Sequence, residues 1–341
     1  MRRCLQLAAL GAGAVSPNPM VGAVLVHDDR VIGEGFHIRY GEAHTEVNCI
    51  NSVAAWDQQL IKDSILYVSL EPCNHYGKTP ACTDLIIHNK IKKVVAACTD
   101  PFEKVNGTGI EKLRSNGVQV VAGVLEKEAK WLNRRFFTFY QKNRPYIILK
   151  WAQSDNLKIA GEHSTASKIS NEITDRLVHK WRSEEAAIMV GTNTALTDDP
   201  SLTTRLWKGN HPVRIVVDVE LKLPGSLNLL DNSCPTIILN RFRHETLGNN
   251  FFYKYEALDG LIEATMQALR RQNLLSVIIE GGGKLLSSFI SSGLWDEARI
   301  ISNRRLYIKD GIKAPALENE ILFKKEIIWS DEICYYKRNE G

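Results

Sequence analysis

Four side chains in the first quarter of the chain have the types and the spacing of a metal-activated hydrolytic site. His44 and Glu46 stand two positions apart, and Cys73 and Cys82 follow with eight residues between them. One neutral histidine and two thiolates give a zinc ion three ligands and leave a fourth position for water. Zinc lowers the pKa of such a water toward neutrality, and a nearby carboxylate moves the protons. The pattern predicts a zinc-dependent deaminase, with His44, Cys73 and Cys82 as metal ligands and Glu46 as the catalytic residue.

The spacing of His44 and Glu46 sets a condition on the local structure. Residues i and i+2 of a regular helix point apart, so we expect His44 at the entry of a helix and Glu46 in its first turn. A structural zinc site, or no metal, is the alternative interpretation. A closed site needs a fourth ligand, which Cys49, His75 or Cys98 could provide. The remaining histidines are expected to be surface or hydrogen-bonded residues, namely His27, His37, His88, His163, His179, His211 and His244.

The composition is that of an ordinary globular protein with room for two domains. The chain has 341 residues, of which 44% are hydrophobic and 24% charged. A formal charge of +4 without runs of like charge does not favour nucleic acid as a partner. Apolar stretches are too short to span a membrane, and we interpret the basic N-terminus as the first helix. Seven dispersed cysteines do not resemble a disulfide framework, so we expect a cytoplasmic protein.

Apolar runs alternate with helical stretches in both halves, which is typical of layered α/β domains. The first half has predicted strands at 21–26, 65–70, 94–97 and 118–121, and helices near 44–55, 81–90, 107–116 and 126–140. The second half has predicted strands at 146–151, 186–190, 213–218, 236–239, 276–280 and 298–302, and helices near 171–183, 259–272 and 284–292. The polar segment 141–145 ends in a proline, so it is the predicted boundary between domains 1–144 and 145–341.

Three consecutive glycines, Gly281 to Gly283, follow a predicted strand and open a predicted helix. Glycines at this place let backbone amides approach a phosphate at the positive end of the helix. The run is not the Gly-x-Gly-x-x-Gly fingerprint of dinucleotide-binding folds. By itself it fits a tight turn at least as well as a nucleotide site.

Six segments together resemble one family over nearly the whole chain. In the first half they are SPNPMVGAV at 16–24, GEAHTE at 41–46 and LEPCNHYGKTPAC at 70–82. In the second half they are LKWAQS at 149–154, VGTNTALTDDPSLTTR at 190–205 and IEGGGK at 279–284. These segments resemble the RibD family of bifunctional riboflavin biosynthesis proteins, which fuse a pyrimidine deaminase to a reductase. Cytidine and tRNA deaminases share the His-x-Glu element but usually place only two residues between their cysteines.

The resemblance implies an α/β fold for both domains. Residues 1–144 are expected to form a cytidine-deaminase-like three-layer α/β/α domain, and residues 145–341 a dihydrofolate-reductase-like α/β domain. The implied first reaction is zinc-hydroxide deamination of 2,5-diamino-6-(5-phosphoribosylamino)pyrimidin-4-one. The implied second reaction is NADPH reduction of the ribosyl group to the ribityl chain. The implied cofactors are therefore Zn²⁺ and NADPH, and the implied partners are a small pyrimidine ribose phosphate and further copies of the chain in a homo-oligomer.

The resemblance also implies roles for individual residues in this sequence. The implied substrate-binding residues are Asn18, His75, Lys78, Thr79, Arg182, Leu202, Arg205 and Glu280. The implied cofactor-binding residues are Gln153, Lys168, Thr194, Asp198, Gly282, Gly283 and Lys284. A cation and hydroxyls in a loop beside a metal suit an anionic ligand, and arginines suit a phosphate by charge and by fork geometry. No side chain is an obvious proton donor for the reduction, for which Lys150 and Asp198 are candidates.

The chain departs from the family pattern at the start of the second domain. The family's Ser-Leu-Asp-Gly-Lys-Ile-Ala is replaced by SDNLKIA, so Asn156 and Leu157 stand where the family has aspartate and glycine. A leucine there costs stability if the turn requires a positive φ. Lys168 replaces a family tryptophan near the cofactor. These changes leave open two alternatives, a deaminase of another base with an inactive reductase domain and a non-catalytic zinc-stabilised nucleotide-binding module.

Overall fold

The chain folds into two compact units, Met1–Asn143 and Arg144–Gly341. The division falls within the polar segment that the sequence predicts as the boundary. A computed structural model describes residues 1–74, 80–103, 105–161, 168–256 and 260–339. Within those ranges, none of the helices is long and apolar enough to cross a membrane.

The first unit is built on a five-stranded mixed sheet. Its strands are β1 (Gly22–His27), β2 (Arg30–Phe36), β3 (Ile65–Val68), β4 (Lys93–Ala96) and β5 (Gln119–Ala122). The spatial order is β2-β1-β3-β4-β5. The pairs β2/β1 and β1/β3 are antiparallel, and β3/β4 and β4/β5 are parallel. The sequence analysis misses β2, in which Gly33 and Gly35 interrupt the apolar alternation.

Helices cover both faces of this sheet. They are α1 (Arg2–Ala9), α2 (Thr45–Asn51), α3 (Cys82–His88), α4 (Thr108–Ser115), α5 (Glu126–Leu132) and α6 (Arg134–Gln141), with a 3₁₀ helix at Ala55–Asp63. Leu25 of β1 packs in one cluster with residues of α2, α3 and α4, whereas its neighbour Val24 packs against α1. Alternate residues of a strand point to opposite faces, so the unit has three layers, α/β/α.

Two local features of the first unit position the chain around its metal-binding motif. A Cβ atom on Gly35 would lie 2.3 Å from the backbone nitrogen of Cys49, so the glycine allows α2 to lie directly on β2. The predicted helix 126–140 is in fact two helices that meet at Asn133, and this prediction is corrected. The Asn133 side chain is buried and accepts a hydrogen bond from the backbone nitrogen of Met20 and donates one to its carbonyl oxygen, both at 2.8 Å.

The second unit contains a ten-stranded sheet and a two-stranded one. Its strands are β6 (Tyr146–Ser154), β7 (Lys158–Gly161), β8 (Ala187–Val190), β9 (Val213–Val217), β10 (Thr236–Asn240), β11 (Glu245–Leu247), β12 (Asn250–Lys254), β13 (Ser276–Ile279), β14 (Glu297–Asn303), β15 (Gly311–Lys313), β16 (Glu320–Ile328) and β17 (Asp331–Arg338). The large sheet has the order β11-β12-β10-β9-β8-β13-β6-β14-β17-β16, and β15 pairs with β7. All neighbours from β12 to β14 are parallel, and the outer strands are antiparallel.

Both faces of the parallel region are buried, which explains its continuous apolar runs. The helices are α7 (Glu172–Glu184), α8 (Thr192–Asp198), α9 (Leu261–Arg271) and α10 (Gly283–Ser291), with a 3₁₀ turn at Asn228–Leu230. Leu149 of β6 packs with residues of α9 and α10, whereas Ile148 packs with residues of α7 and α8. The carboxyl ends of β8 and β13 lead directly into α8 and α10, and open α/β sheets bind ligands at such an edge.

Candidate metal centre and cofactor site

His44, Cys73 and Cys82 converge on one point from three elements. His44 is the N-cap of α2, with φ −70° and ψ 165°, Cys73 follows β3, and Cys82 is the first residue of α3. The His44 Nδ1 atom lies 3.3 Å from the Cys82 Sγ atom and 3.5 Å from the Cys73 Sγ atom. All three donor atoms lie within 4.8 Å of one another. The structure therefore brings the three predicted ligands together, with His44 at the entry of its helix as the spacing requires.

The donor set fits zinc. Tetrahedral zinc holds thiolate sulfur at about 2.3 Å and imidazole nitrogen at about 2.0 Å, which places two such donors roughly 3.5 Å apart. Within the described ranges, no fourth Cys, His, Asp or Glu joins the group. Cys98 instead donates to the carbonyl oxygen of Ser69 at 3.6 Å, and Cys49 packs in the core. Neither cysteine therefore closes the site, whereas His75, the other candidate for a fourth ligand, lies outside the described residues. The three ligands in the described part of the chain leave one position for a water molecule.

The two thiols have opposite pKa shifts. The pKa of Cys73 is lowered to about 4, first by the hydrogen bond from the Cys82 side chain and also by His44. The pKa of Cys82 is raised because that thiol keeps the shared proton and because it is buried. The Cys82 backbone nitrogen also donates to the Cys73 Sγ atom at 3.4 Å. The fold thus stabilises one thiolate, and a divalent ion would take the place of the proton on the other.

Glu46 lies in the first turn of α2 and is 3% exposed. Its pKa is raised, first by burial and then by the negative charge of Cys73. The Cys82 side chain acts in the opposite direction and lowers the pKa of Glu46, so the carboxyl group lies next to the metal-binding group, of which it is not a member. A buried carboxyl group in this place can hold a proton and release it, as a general acid and base must.

The structure adds His37, which the sequence analysis treats only as a surface or hydrogen-bonded residue. It follows β2, is 4% exposed, and its ring meets the His44 ring edge to face at a centroid distance of 5.7 Å. Its Nε2 atom lies 3.1 Å from the Nδ2 atom of Asn18, and its Nδ1 atom lies 3.1 Å from the Ala43 carbonyl oxygen. Burial lowers the pKa of His37. Asn18, a predicted substrate-binding residue, is therefore linked through His37 to Ala43, the residue before His44.

Glu71 is a second residue that the sequence analysis misses. It precedes Pro72 and Cys73, is buried, and accepts four backbone hydrogen bonds of 2.9 to 3.1 Å. The donors are the amides of Asp100, Gly107, Gly109 and Ile110. These bonds tie the segment before Cys73 to the N-terminus of α4. Its only signal in the sequence is a carboxylate next to the Pro-Cys pair, which also fits an exposed loop residue.

Three of the predicted substrate-binding residues cannot be placed. His75, Lys78 and Thr79 lie outside the described residues, between Cys73 and Cys82. Their assignment stays a prediction from the resemblance.

In the second unit, the glycine run forms the N-terminal entry of α10, the end of a helix that can bind phosphate. Gly282 is the N-cap of α10 and has a φ of +76°. A Cβ atom on Gly281 would lie 2.9 Å from the Thr194 side chain, so the glycines allow α8 and the start of α10 to approach each other. The predicted cofactor residues Thr194, Gly282 and Gly283 thus lie together, and Lys284 is exposed in the first turn of α10. Burial raises the pKa of Asp198, at the end of α8.

Two other predicted cofactor residues have internal partners. The Gln153 side chain accepts a hydrogen bond from the Trp151 indole at 2.9 Å and donates one to the Ser302 hydroxyl at 3.0 Å. Lys168 is exposed and lies 3.8 Å from the Asp175 carboxylate. A cofactor that contacts the Gln153 side chain would therefore meet a group that already forms two hydrogen bonds.

Arg182, Glu280 and Lys150 form a buried charge cluster. Arg182 donates to both oxygens of Glu280, at 2.9 and 2.7 Å, and to the carbonyl oxygen of Thr203 at 3.3 Å. Lys150 lies 3.5 Å from the same carboxylate. Burial alone would raise the pKa of Glu280, but Arg182 and Lys150 lower it to about 2. The Arg182 fork thus binds Glu280, and the assignment of Arg182 to the substrate stays a prediction from the resemblance.

Arg205 and Leu202 complete the predicted residues of the second unit. Arg205 is exposed. The pKa of His179 is lowered to about 4, first by burial and then by the positive charges of Arg182 and Arg205. Both arginines therefore lie close enough to His179 to affect its pKa. Leu202 is buried in the core with a φ of 53°, so a ligand at this position would meet its backbone.

The departures from the family pattern are visible in the turn after β6. Leu157 has a φ of 59° and is 57% exposed, so leucine occupies a left-handed conformation that glycine adopts without cost. Asn156 holds this turn, since its side chain accepts from the Ser154 hydroxyl at 2.8 Å and donates to the Ile308 carbonyl oxygen at 2.8 Å. The turn is thus strained at Leu157, and the hydrogen bonds of the Asn156 side chain stabilise it.

Comparison with known proteins accounts for both units. Residues 1–98 match the cytidine and deoxycytidylate deaminase zinc-binding region, and residues 145–303 match the RibD C-terminal domain. The riboflavin biosynthesis protein RibD of Aquifex aeolicus is 36% identical over 353 residues, covering 99% of this chain and 97% of that protein. The RibD protein of Bacillus amyloliquefaciens is 38% identical over 307 residues, covering 87% and 81%.

A solved structure agrees along the whole chain. The diaminohydroxyphosphoribosylaminopyrimidine deaminase/5-amino-6-(5-phosphoribosylamino)uracil reductase of Thermotoga maritima superposes with a TM-score of 0.90 at 33% identity, covering 99% of this chain and 97% of that one. The expected cytidine-deaminase-like and dihydrofolate-reductase-like α/β folds are thereby confirmed. Identity above 30% across nearly the full length of both proteins establishes the relationship, and the chain belongs to the RibD family.

Proposed function

We propose that this chain catalyses two consecutive reactions of riboflavin biosynthesis. The first is hydrolytic deamination of 2,5-diamino-6-(5-phosphoribosylamino)pyrimidin-4-one, and the second is NADPH reduction of the ribosyl group to the ribityl chain. We assign the first to residues 1–144 and the second to residues 145–341. The convergence of His44, Cys73 and Cys82 beside buried Glu46, in a chain that resembles RibD proteins along both units, carries the proposal.

In the first reaction the protein holds the metal and moves protons. His44, Cys73 and Cys82 would hold a zinc ion, which would supply a water molecule with its pKa lowered toward neutrality. Glu46 would serve as the proton carrier, placed to accept a proton from such a water and to donate it to the amino group that leaves as ammonia. Glu71 keeps the Cys73 segment in place through its four amide hydrogen bonds.

In the second reaction the protein places charge and orients the reactants. NADPH supplies the hydride that is added at C1′ of the opened ribose. The amides at Gly282 and Gly283 lie at the positive end of α10, where they can hold a cofactor phosphate. Lys150, Arg182 and Glu280 together carry one net positive charge, with the Arg182 fork bound to Glu280, whereas Arg205 is exposed. We therefore assign phosphate binding to Arg205 and the positioning of Glu280 to Arg182.

The partners follow from this chemistry. The substrate is a small molecule, which is consistent with the RibD relatives. We also propose that the protein works in the cytoplasm as a homo-oligomer. The cytoplasmic assignment is supported by the seven cysteines, none of which forms a disulfide in the described parts of the chain. The homo-oligomer rests on the family resemblance.

One assay tests both reactions. Ammonia release and NADPH consumption are followed together after the diaminopyrimidinone substrate is added to zinc-loaded protein. Ammonia release should require zinc and should disappear in Cys82→Ala, whereas the matched core variant Cys98→Ala should retain it. NADPH consumption should follow ammonia release in the parent protein. NADPH consumption that fails even with the deaminated product supplied would favour a deaminase with an inactive reductase domain, and the absence of both signals would contradict the proposal.

A further inference from the structure

The carboxyl ends of the parallel strands of the second unit form one edge, along which a dinucleotide can lie. β10, β9, β8 and β13 are neighbours in this order, and all three pairs are parallel. The glycine turn that can hold the cofactor phosphates follows β13, and β6, with Lys150 and Gln153, lies on its other side. A cofactor whose nicotinamide reaches toward β6 therefore places its adenosine half along the ends of β8, β9 and β10.

An acidic residue directly follows β9, but the protein itself uses its carboxylate. Asp218 is buried, and its two oxygens accept hydrogen bonds from the backbone nitrogens of Lys222 at 2.8 Å and Leu223 at 3.0 Å. In dinucleotide-binding folds, an acid near the end of a neighbouring strand accepts a hydrogen bond from the ribose 2′-hydroxyl of NADH, whereas an arginine accommodates the 2′-phosphate of NADPH. Asp218 closes its own turn, so its carboxylate is already engaged at the place where it would favour NADH.

An arginine lies beside this turn. Arg241 directly follows β10, and its backbone nitrogen donates to the carbonyl oxygen of Val219 at 3.2 Å, which fixes it next to the end of β9. Its side chain is exposed, and its guanidinium carbon lies 5.9 Å from the centre of the Tyr255 ring. Within the described ranges no carboxylate forms an ion pair with Arg241, whereas its neighbour Arg243 binds Glu245 at 2.9 Å. In this part of the chain, the Arg241 guanidinium is therefore available to an anionic ligand.

We propose that Arg241 binds the 2′-phosphate of NADPH and makes the second unit prefer NADPH to NADH. Two strand spacings, roughly 10 Å in all, separate the end of β9 from the glycine turn after β13, which places Arg241 on the adenosine side of the bound phosphates. The planar guanidinium can pair with a phosphate through two N–H groups, and NADH has no anionic group at this position. The inference rests on the proposed reduction, because it concerns the cofactor of that reaction.

Equilibrium binding tests the inference without turnover. Dissociation constants of NADPH and NADH for the zinc-loaded full-length protein are measured by calorimetry in the absence of substrate. Arg241→Met removes the charge and keeps an unbranched side chain, whereas Arg241→Lys keeps the charge without the fork. Arg271→Met is the matched control. Arg271 is also exposed, and its guanidinium carbon lies 5.7 Å from the Tyr253 ring, but it is the last residue of α9, which leads to the amino end of β13.

The parent should bind NADPH at least about tenfold more tightly than NADH, as expected for a charge-assisted hydrogen bond. Arg241→Met should lose most of this preference through weaker binding of NADPH, and its dissociation constant for NADH should stay within about twofold of that of the parent. The NADH measurement also reports that the variant is folded. Arg241→Lys should lie between the parent and Arg241→Met, and Arg271→Met should bind both cofactors like the parent.

Three results would overturn the inference. The first is NADPH binding in Arg241→Met equal to that of the parent. The second is an equal loss in Arg271→Met, which would show that only the net charge of the protein matters. The third is a parent that prefers NADH, which would assign the ribose to Glu220, the exposed acid of the same turn. A parent that binds neither cofactor would contradict the proposed reduction itself.

Discussion

Two buried glutamates, one in each unit, have opposite environments. Glu46 lies beside the metal-binding group, and burial raises its pKa. The Glu280 side chain is 5% exposed, but Arg182 and Lys150 bind its carboxylate and lower its pKa to about 2. Burial alone therefore does not determine what a carboxylate does. Glu46 can take up and release a proton, whereas Glu280 stays ionised above its lowered pKa and holds two cations in place.

This contrast separates the roles of the two sites. Among the described residues of the first unit, no lysine or arginine pairs with Glu46, and a metal held by His44, Cys73 and Cys82 would provide the positive charge. In the second unit, Glu280 is paired with Arg182 and Lys150. We therefore expect these charges to act by positioning the substrate. Removing the charge of Glu46 should therefore impair the chemistry of the first unit, whereas removing the charge of Glu280 should impair the folding of the second.

The largest effect is expected from Glu46→Gln. The amide has the same shape but cannot carry the proton, so ammonia release should fall by about 10² to 10⁴-fold. The free energy of unfolding should change by no more than about 1 kcal/mol, because the substitution removes no ion pair. Ammonia release and urea unfolding are measured on the same zinc-loaded samples. A variant that loses its zinc would show that Glu46 is a ligand and would contradict its assignment as a proton carrier.

Glu280→Gln should show the reverse. Removal of this anion leaves Arg182 and Lys150 buried without their counter-charge, which costs about 3 to 5 kcal/mol of unfolding free energy. The matched control is Glu126→Gln, whose ion pair with Lys130 is exposed and contributes less than about 0.5 kcal/mol. Urea unfolding of the parent and both variants makes the comparison. Equal destabilisation by the two substitutions would show that the buried cluster is not a coupled unit.

Acid should remove the contribution of Glu280 in a defined pH window. Its pKa is lowered from an ordinary 4.5 to about 2 in the folded protein, so its stabilising effect is present above pH 4.5 and is lost as the pH falls toward 2. The difference in unfolding free energy between parent and Glu280→Gln should accordingly shrink by about 3 kcal/mol over that window. Unfolding curves at pH 5, 4 and 3 would reveal it. A constant difference would contradict the lowered pKa.

The smallest effect concerns the turn after β6. Leu157→Gly removes the left-handed strain of about 1 to 2 kcal/mol but adds freedom to the unfolded chain, so the net gain is about 0.5 to 1 kcal/mol. Leu10 is a matched control, since it is similarly exposed but has a φ of −67°. Leu10→Gly should destabilise. Thermal unfolding of both variants decides the sign, and a loss of stability in Leu157→Gly would show that the turn is not strained.

The sequence predicts the metal centre well because zinc restricts both the residue types and the coordination number. His44, Cys73 and Cys82 could be named from chemistry and spacing, and even the position of His44 at a helix entry follows from the two-residue step to Glu46. His37 could not be found in this way. Its role depends on a carbonyl oxygen and an amide brought together by the end of β2, and a single histidine carries no pattern.

The secondary structure could likewise be predicted only where the sequence has a distinctive pattern. Parallel strands such as β8 and β13 are buried on both faces and appear as continuous apolar runs, so they were predicted to within a few residues. The edge strand β16 was missed because its burial pattern does not alternate and most of its residues are exposed. The charge cluster is not predicted from the sequence, since its members come from three distant segments. The resemblance names Arg182 and Glu280 separately, and Lys150 is only a candidate proton donor.

The central claim is that the metal is held by three protein ligands and keeps one open coordination position. X-ray absorption at the zinc edge of the zinc-loaded protein measures this directly. The expected spectrum contains two sulfur atoms at about 2.3 Å and two lighter atoms at about 2.0 Å, one from His44 and one from water. A spectrum with three or four sulfur atoms, or with two histidine rings, would mean that protein donors saturate the ion and would contradict the deaminase mechanism.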